Sequence, residues 1–549
     1  MEEKGTLLEE IYNKRGKELL TYVQSLFEDT TAIQAKILAE ILSLARNTEL
    51  GQKYDFNSIK NFQDYQHLVP LSEWEIYEKS IPRLLRGEEN IFFPGRTEYF
   101  IMTSGTTGRN KYIPESKLGA LAKKTVTNIR RYPLLNYLGL KDLTKLGHVL
   151  ALSSSGVCQM SEGGIPIGFA SGITREQTEN ALKKLDAYPP EIASLEDINT
   201  VNYLIMRFAL MWSDMVAIIG NNAGRLKALV DFALEHAEEL IDDIEHGTVL
   251  SSLSLADDLR EKLSGKLKPA PERAAELKKL LKVGRFIPRY YWPNLKLGSF
   301  WLTGTVGEYV KEIKHLLPEE LVYCSAGYGA SEAKITLPLK LGESSGVLST
   351  FTAFYEFIPE NSTEILLAHQ LKLNQVYEIV LTTYSGLYRY RIGDLVRVTG
   401  FAGDAPLLDF VSKNKEVANI SNEKVYGSVL NHVLHKTAEE MGYCLQMAQI
   451  LPDLSSKRYR CFLEFAEADD LATAEYAALA EEKLQQTALG YQRRRKDGTL
   501  GAVEVCLMKK GWQEELYKSR LKPGVSISQI KLPVIINEEP KADWKEKRQ

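Results

Sequence analysis

Apolar residues recur at spacings of three and four over residues 6–47, with Leu8, Ile11, Leu19, Leu20, Val23 and Leu26 among them, so the chain opens with amphipathic helices. Val69-Pro70-Leu71 interrupts that pattern, and Ser72 with Glu75 three residues on predicts a capping box for a helix through Tyr77. Another helix is expected over residues 115–131, and strands joined by Ser- and Gly-rich turns over 147–169. Residues 174–285 carry the most helical pattern, broken at Lys268-Pro269-Ala270-Pro271, where a new helix can start. The most apolar long segment, 201–220, contains Arg207 and Asp214, which make it a buried or amphipathic helix rather than a membrane span.

Strands and helices then alternate: a strand over 297–302, a helix over 306–315 and a strand over 321–325. That order predicts βαβ units and a parallel or mixed sheet. Strands dominate 347–398. Near Val411-Ser412-Lys413-Asn414-Lys415 the character changes, and a smaller α+β unit runs onward to a charged, solvated tail over 538–549. The expected fold class is therefore α/β. A large N-terminal domain over 1–411, with mixed β-sheets and flanking helices, is followed by a smaller, mobile α+β domain over 412–549.

A chain of 549 residues exceeds what one core serves, in keeping with that division. The net charge of −4 supplies no basic field to attract nucleic acid. Five widely spaced cysteines form no C-x-x-C pair, and the eight histidines form no zinc-binding spacing, so a reducing interior suits them. Met1-Glu2-Glu3-Lys4 is acidic and is followed by no apolar run, so no secretory signal is expected and the expected compartment is the cytoplasm, without a membrane partner.

Candidate chemistry centres on one stretch. Tyr99-Phe100-Ile101-Met102 and Tyr112-Ile113-Pro114 read as two strands, and Thr103-Ser104-Gly105-Thr106-Thr107-Gly108-Arg109-Asn110-Lys111 as the loop joining them. Two glycines let backbone amides turn toward a ligand, and with hydroxyls and one ammonium they make an anion cradle suited to a triphosphate. The stretch is not a Walker A loop, since only Thr106 and Thr107 separate its glycines and Tyr112 follows Lys111. A flexible Gly/Ser/Thr linker is the plainer alternative.

Tyr328-Gly329-Ala330-Ser331-Glu332 follows the strand at 321–325 and so occupies the end of a strand where open α/β sheets bind ligands. Tyr328 can stack on a purine, while Ser331 and Glu332 offer a hydroxyl and a carboxylate for phosphate and Mg2+. An exposed turn glutamate is the alternative there. Further on, residues 386–394 have the period of a strand, which sets Arg389 and Arg391 on one face. Gly393 then allows a turn that presents Asp394 to the hydroxyls of a ribose. A turn aspartate beside cross-strand arginine pairs fits equally. Gly304-Thr305 can line an adenine slot with backbone groups.

These pieces stand in one order, phosphate loop, Tyr-Gly-x-Ser-Glu, then Arg-x-Gly-Asp, and the order resembles the adenylate-forming superfamily of acyl-CoA synthetases, peptide-synthetase adenylation domains and luciferases. Residues 386–411, Trp292-Pro293-Asn294, the Thr303-Gly304 turn and residues 524–531 are similar to the plant auxin-responsive acyl acid amido synthetases, which conjugate jasmonate or indole-acetate to amino acids. The resemblance implies that Ser104, Thr106, Thr107 and Lys111 hold ATP phosphates, that Tyr328 to Ser331 border the nucleotide, that Glu332 supports magnesium and that Asp394 grips the ribose. It further implies a small-domain lysine at the α-phosphate, matched here by Lys424, with Lys531 second. A solvated lysine is the alternative for either. Residues 150–285 do not reproduce the plant acyl pocket, and Gly329-Ala330-Ser331 follows the wider superfamily, so the hormone substrates do not carry over. The implied reaction is ATP-dependent ligation of a small carboxylic acid to an amino acid amine. Thioester formation with coenzyme A and an inactive nucleotide-binding relic are the alternatives.

Overall fold

The computed structural model describes residues 6–104, 110–138, 146–152, 156–176, 183–195, 197–220, 223–302, 310, 313–360, 362–413, 416–421, 423, 425–467, 471–520 and 532–546. The opening pattern folds as predicted into helices Leu7–Asn13, Gly16–Ser25 and Thr30–Ala45, which bury Leu8, Ile11, Leu19, Val23 and Leu26. Asp29 caps the third helix by accepting from the Ala32 amide at 2.9 Å. From that helix the buried Gln34 amide donates to the Ala353 carbonyl at 2.8 Å and accepts from the Tyr355 amide at 2.8 Å, tying the N-terminal helices to a distant strand.

Among the described residues, four sheets and a two-stranded ribbon follow. The hairpin of β1 (Tyr99–Ser104) and β2 (Asn110–Glu115) is antiparallel and is extended by β5 (Pro166–Gly168) and β4 (Val157–Met160) in the order β2-β1-β5-β4. The strands β3 (His148–Leu152), β6 (Met215–Gly220), β7 (Leu297–Phe300) and β8 (Val322–Ser325) form a wholly parallel sheet, with helices between β3 and β6 and between β6 and β7, in keeping with the parallel or mixed sheet that the alternation predicts. The largest sheet is antiparallel. It contains β9 (Thr336–Leu337), β10 (Gly346–Leu348), β11 (Ala353–Pro359), β12 (Leu366–Leu367), β13 (Val376–Thr383), β14 (Tyr390–Ala402) and β15 (Ala405–Lys413).

A ribbon of β16 (Val417–Ala418) and β17 (Val425–Tyr426) opens the C-terminal part. The sheet of β18 (Leu445–Asp453), β19 (Arg458–Phe465) and β20 (Glu504–Leu507) follows, covered by helices Gly427–Glu440 and Thr473–Thr487. The buried residues of this part, from Ala418 to Val534, make cores of their own.

Several local expectations fail for identifiable reasons. Residues 201–220 are not one helix: the helix Ile198–Ala209 ends before Asp214, and the apolar run Val216-Ala217-Ile218-Ile219, rich in β-branched residues, becomes β6. A strand buried inside a parallel sheet is apolar throughout, so its period resembles that of a buried helix. The helix expected over 115–131 is Lys117–Leu138, and Glu115 belongs to β2. Ser72 caps nothing. Its hydroxyl donates to the Tyr388 carbonyl at 2.7 Å, and its backbone bridges Arg389 and Arg391. Of the helix expected over 306–315, residues 306–309 and 311–312 lie outside the described residues, and Lys314–Leu316 is a 3-10 turn. The tail is solvated only in part: residues 538, 539 and 541–543 are exposed, but the chain docks at its far described end, with Lys509 N–H donating to Trp544 O and Glu546 N–H to Leu507 O.

Candidate functional site

The turn between β8 and β9 is built around two backbone requirements. Gly327 has φ +74, and a Cβ there would stand 2.6 Å from the Thr336 carbonyl oxygen, so no side chain fits. Beyond it, the Tyr328 amide donates to Thr336 Oγ1 at 2.7 Å and the Ala330 amide to Ala333 O at 2.9 Å, folding residues 328–334 into a tight loop. From outside, Lys123 Nζ donates to the Ser331 carbonyl at 2.7 Å and pairs with Glu115, whose carboxylate is buried. Arg130, two helical turns further along the same helix, donates to the Ala326 carbonyl.

Tyr328 reaches across to the large sheet. Its hydroxyl donates to Asp394 Oδ2 at 2.6 Å, and its ring stacks on Phe410 with centroids 5.2 Å apart. Asp394 is 3% exposed and accepts a second bond, from Lys413 Nζ at 2.6 Å on its other oxygen. It is not presented by a turn as expected. The register of β13 with β14 shifts between Glu378 and Val380, so Ile392-Gly393-Asp394 bulge inside the strand, and Gly393 takes up the distortion with φ +71.

The two arginines of the motif do not share a strand face either. Arg389 precedes β14 in the left-handed region at φ 47, where its buried guanidinium pairs with Glu356 and donates to Val69 O. Arg391 pairs with Glu378 through two hydrogen bonds of 2.8 and 2.7 Å. Both therefore hold the scaffold around Asp394.

Glu332 lies close to this group. Burial pushes its carboxyl above the ordinary range, the neighbouring Asp394 charge adds to that, and Lys413 and Lys123 oppose it. Lys413 in turn is held above its usual value: burial alone lowers it, and Asp394 and Glu332 outweigh burial. The Tyr390 hydroxyl, pushed up chiefly by burial, also feels Glu332, Glu75 and Asp394, so helix Trp74–Glu78 borders the same region. Lys111 Nζ stands 5.5 Å over the Trp74 ring, and across the hairpin it is the partner of Thr103. The hairpin base, the 328–334 loop and the β14 bulge thus meet around one region.

Ser104 closes β1, while Gly105, Thr106, Thr107 and Gly108 lie outside the described residues, as do Gly304, Thr305, Lys424 and Lys531. Among the residues described, the structure brings Tyr328, Gly329, Ala330, Ser331, Glu332 and Asp394 together. It adds Lys123, Arg130, Phe410 and Lys413, which no motif marked. Lys413 alone left a trace, as a lysine at the point where the chain changes character.

Three family models match successive parts of the chain: GH3 family N-terminal domain over residues 20–322, GH3 family central domain over 346–413 and GH3 family C-terminal domain over 426–540. Indole-3-acetic acid-amido synthetase GH3.5 of Arabidopsis thaliana is 26% identical over 569 residues, covering 95% of this chain and 91% of that protein. Jasmonoyl--L-amino acid synthetase GH3.5 of Oryza sativa subsp. japonica is 25% identical, covering 95% of each. A solved structure described as GH3.15 acyl acid amido synthetase has the same fold, with a TM-score of 0.80 at 23% identity over 96% of this chain and 95% of that one.

Proposed function

The chain belongs to the GH3 family, and on that premise we propose that it is an ATP-dependent acyl acid amido synthetase, which adenylates a small carboxylic acid and passes the acyl group to the amine of an amino acid. The observation that supports the reading most directly is Asp394, a buried carboxylate tied to the Tyr328 loop on one side and to Lys413 on the other. Two of its acceptor positions are used, and a carboxylate has about four, so two remain for the hydroxyls of a ribose.

Around that anchor, Tyr328, Gly329, Ala330 and Ser331 border the nucleotide and Gly304 and Thr305 line the adenine. The phosphates fall to Thr103, Ser104, Gly105, Thr106, Thr107, Gly108 and Lys111. A carboxylate oxygen of the acid attacks the α-phosphorus, pyrophosphate leaves, and the amine then attacks the acyl carbon as AMP departs. Catalysis of the first step is charge stabilisation and alignment. Lys424, or in second place Lys531, supplies the positive charge at the α-phosphate.

Glu332 fits a magnesium ion. It forms no ion pair among the described residues, and burial with the neighbouring Asp394 charge raises its pKa, a cost that a bound cation would offset. Mg2+ takes one or two protein carboxylates and shares the phosphates, so Glu332 would hold it and the ion would neutralise charge on the leaving pyrophosphate. The lysines reach the phosphates by movement of a small domain, residues 412–549, against a large one, residues 1–411, about residues 411–415.

No helix among the described residues is long and apolar enough to cross a membrane. We place the reaction in the cytoplasm, where ATP is plentiful and the free cysteines stay reduced. Acid-dependent exchange of labelled pyrophosphate into ATP tests the first step. Product analysis with amino acids against coenzyme A tests the second, and a thioester product overturns the amide assignment.

A further inference from the structure

Strand β2 leaves the hairpin whose loop is assigned to the ATP phosphates, and it ends at Glu115, just ahead of helix Lys117–Leu138. The Glu115 carboxylate is fully buried and takes two partners. The Ser385 hydroxyl donates to Oε1 at 2.5 Å, and Lys123 Nζ is ion-paired with Oε2. Gly119, in the first turn of the helix, admits this arrangement because it has no side chain: a Cβ there would overlap both Glu115 Oε1 and Ser385 Oγ. Ser116 ties the same turn to the large sheet, its amide donating to Ser385 Oγ at 3.1 Å and its hydroxyl to the Tyr384 carbonyl at 2.9 Å. The partner that holds the Lys123 ammonium is thereby fixed against both the hairpin and the large sheet.

From that anchor the ammonium donates to the Ser331 carbonyl at 2.7 Å. A free lysine side chain samples many rotamers, so such a bond orients its acceptor only if the stem is already held. Glu115 holds it, and the Lys123 side chain is 14% exposed. Among the described residues, the loop's own backbone bonds fall on residues 328, 330, 333, 335 and 336 and leave 331 and 332 out. Lys123 supplies the restraint that they lack. A peptide unit is planar, so fixing the Ser331 oxygen also fixes the plane of the Glu332 amide, and with it the direction in which the Glu332 side chain leaves the loop.

Resting on the amido synthetase reading, we propose that Lys123 is a positioning residue. By bridging Glu115 and the Ser331 carbonyl, it couples the phosphate hairpin to the nucleotide loop and holds Glu332 in the direction from which that carboxylate takes magnesium.

The test uses the full chain with the variants Lys123→Met, Glu332→Gln and the two combined. Lys123→Met leaves Glu115 buried without a counter-ion, so Lys123→Met/Glu115→Gln is made as well, which removes both charges and keeps an acceptor for Ser385. Folding is checked by circular dichroism. Mn2+, a paramagnetic probe for the magnesium position, is titrated into each protein in the presence of a non-hydrolysable ATP analogue, and the free ion is read by electron paramagnetic resonance. Lys123→Met and Lys123→Met/Glu115→Gln are each expected to weaken Mn2+ binding about 10-fold, the worth of one charge-assisted hydrogen bond. Added to Glu332→Gln, Lys123→Met is expected to cause no further loss, the mark of a residue that acts through another. A merely structural lysine gives additive losses. Additivity, unchanged Mn2+ affinity in folded Lys123→Met/Glu115→Gln, or unchanged affinity in Glu332→Gln overturns the proposal. Pyrophosphate exchange by the unaltered chain is measured separately: its absence with every acid sinks the amido synthetase reading, whereas the Mn2+ titrations decide the role of Lys123.

Discussion

Lys413 Nζ lies 2.6 Å from Asp394 Oδ1, and the pairing of β14 with β15 sets the two residues directly opposite each other. One ion pair thus joins the bulge that carries the proposed ribose acceptor to the last residue of the large sheet.

Asp394→Ala removes the acceptor shared by Lys413 and Tyr328 and is expected to weaken ATP binding about 10- to 100-fold, while Tyr328→Phe, which leaves the carboxylate in place, costs about 3- to 10-fold. Calorimetric titration with a non-hydrolysable ATP analogue distinguishes them. Unchanged affinity in Asp394→Ala removes the ribose role.

Lys424→Ala is expected to slow adenylation about 100- to 1,000-fold, the worth of one well-placed charge on a transition state, with ATP affinity nearly unchanged. Single-turnover adenylate formation gives the rate. If Lys531→Ala produces that loss and Lys424→Ala does not, the two roles exchange.

Glu332→Gln is expected to raise the magnesium concentration needed for activity and also to raise the melting temperature of the ligand-free protein near neutral pH. A carboxyl whose folded pKa exceeds its unfolded one favours the fold at low pH, and that advantage is lost as pH rises through the folded value. At pH 7, above the unfolded value, the raised Glu332 carboxyl is therefore a standing cost. Thermal melts across pH, with and without the substitution, show whether the two curves converge in acid.

Removing Glu356 leaves the Arg389 guanidinium buried without its counter-ion, and Glu356→Ala is expected to cost roughly 3–5 kcal/mol in urea unfolding. Arg391→Ala, whose partner Glu378 sits nearer solvent, should cost clearly less.

Short-range patterns carried much of this into the sequence. The 3.6-residue period placed the N-terminal helices, alternation of element types placed the parallel sheet, and Tyr328 to Glu332 stood out because a glycine, a hydroxyl and a carboxylate together follow a strand. What stayed hidden depends on partners far away in the chain. Lys123 and Ser331 are 208 positions apart, and nothing near either announces the other. The left-handed backbone of Arg389 could not be foreseen, since arginine has no preference for that region and distant partners, among them Glu356, Val69, Thr382 and Ser72, hold it there. β6 was hidden by its own burial, which erases the alternation that identifies a strand.

The register shift in β14 also restricts how the gene can vary. A strand changes face with every residue, so loss of the single codon for Gly393 would leave two residues of β14 opposite Ile379 in place of three and would change the facing of Asp394 toward Lys413 or of the positions upstream of it. Length, more than residue identity, is the quantity that relatives must preserve between Arg391 and Leu395.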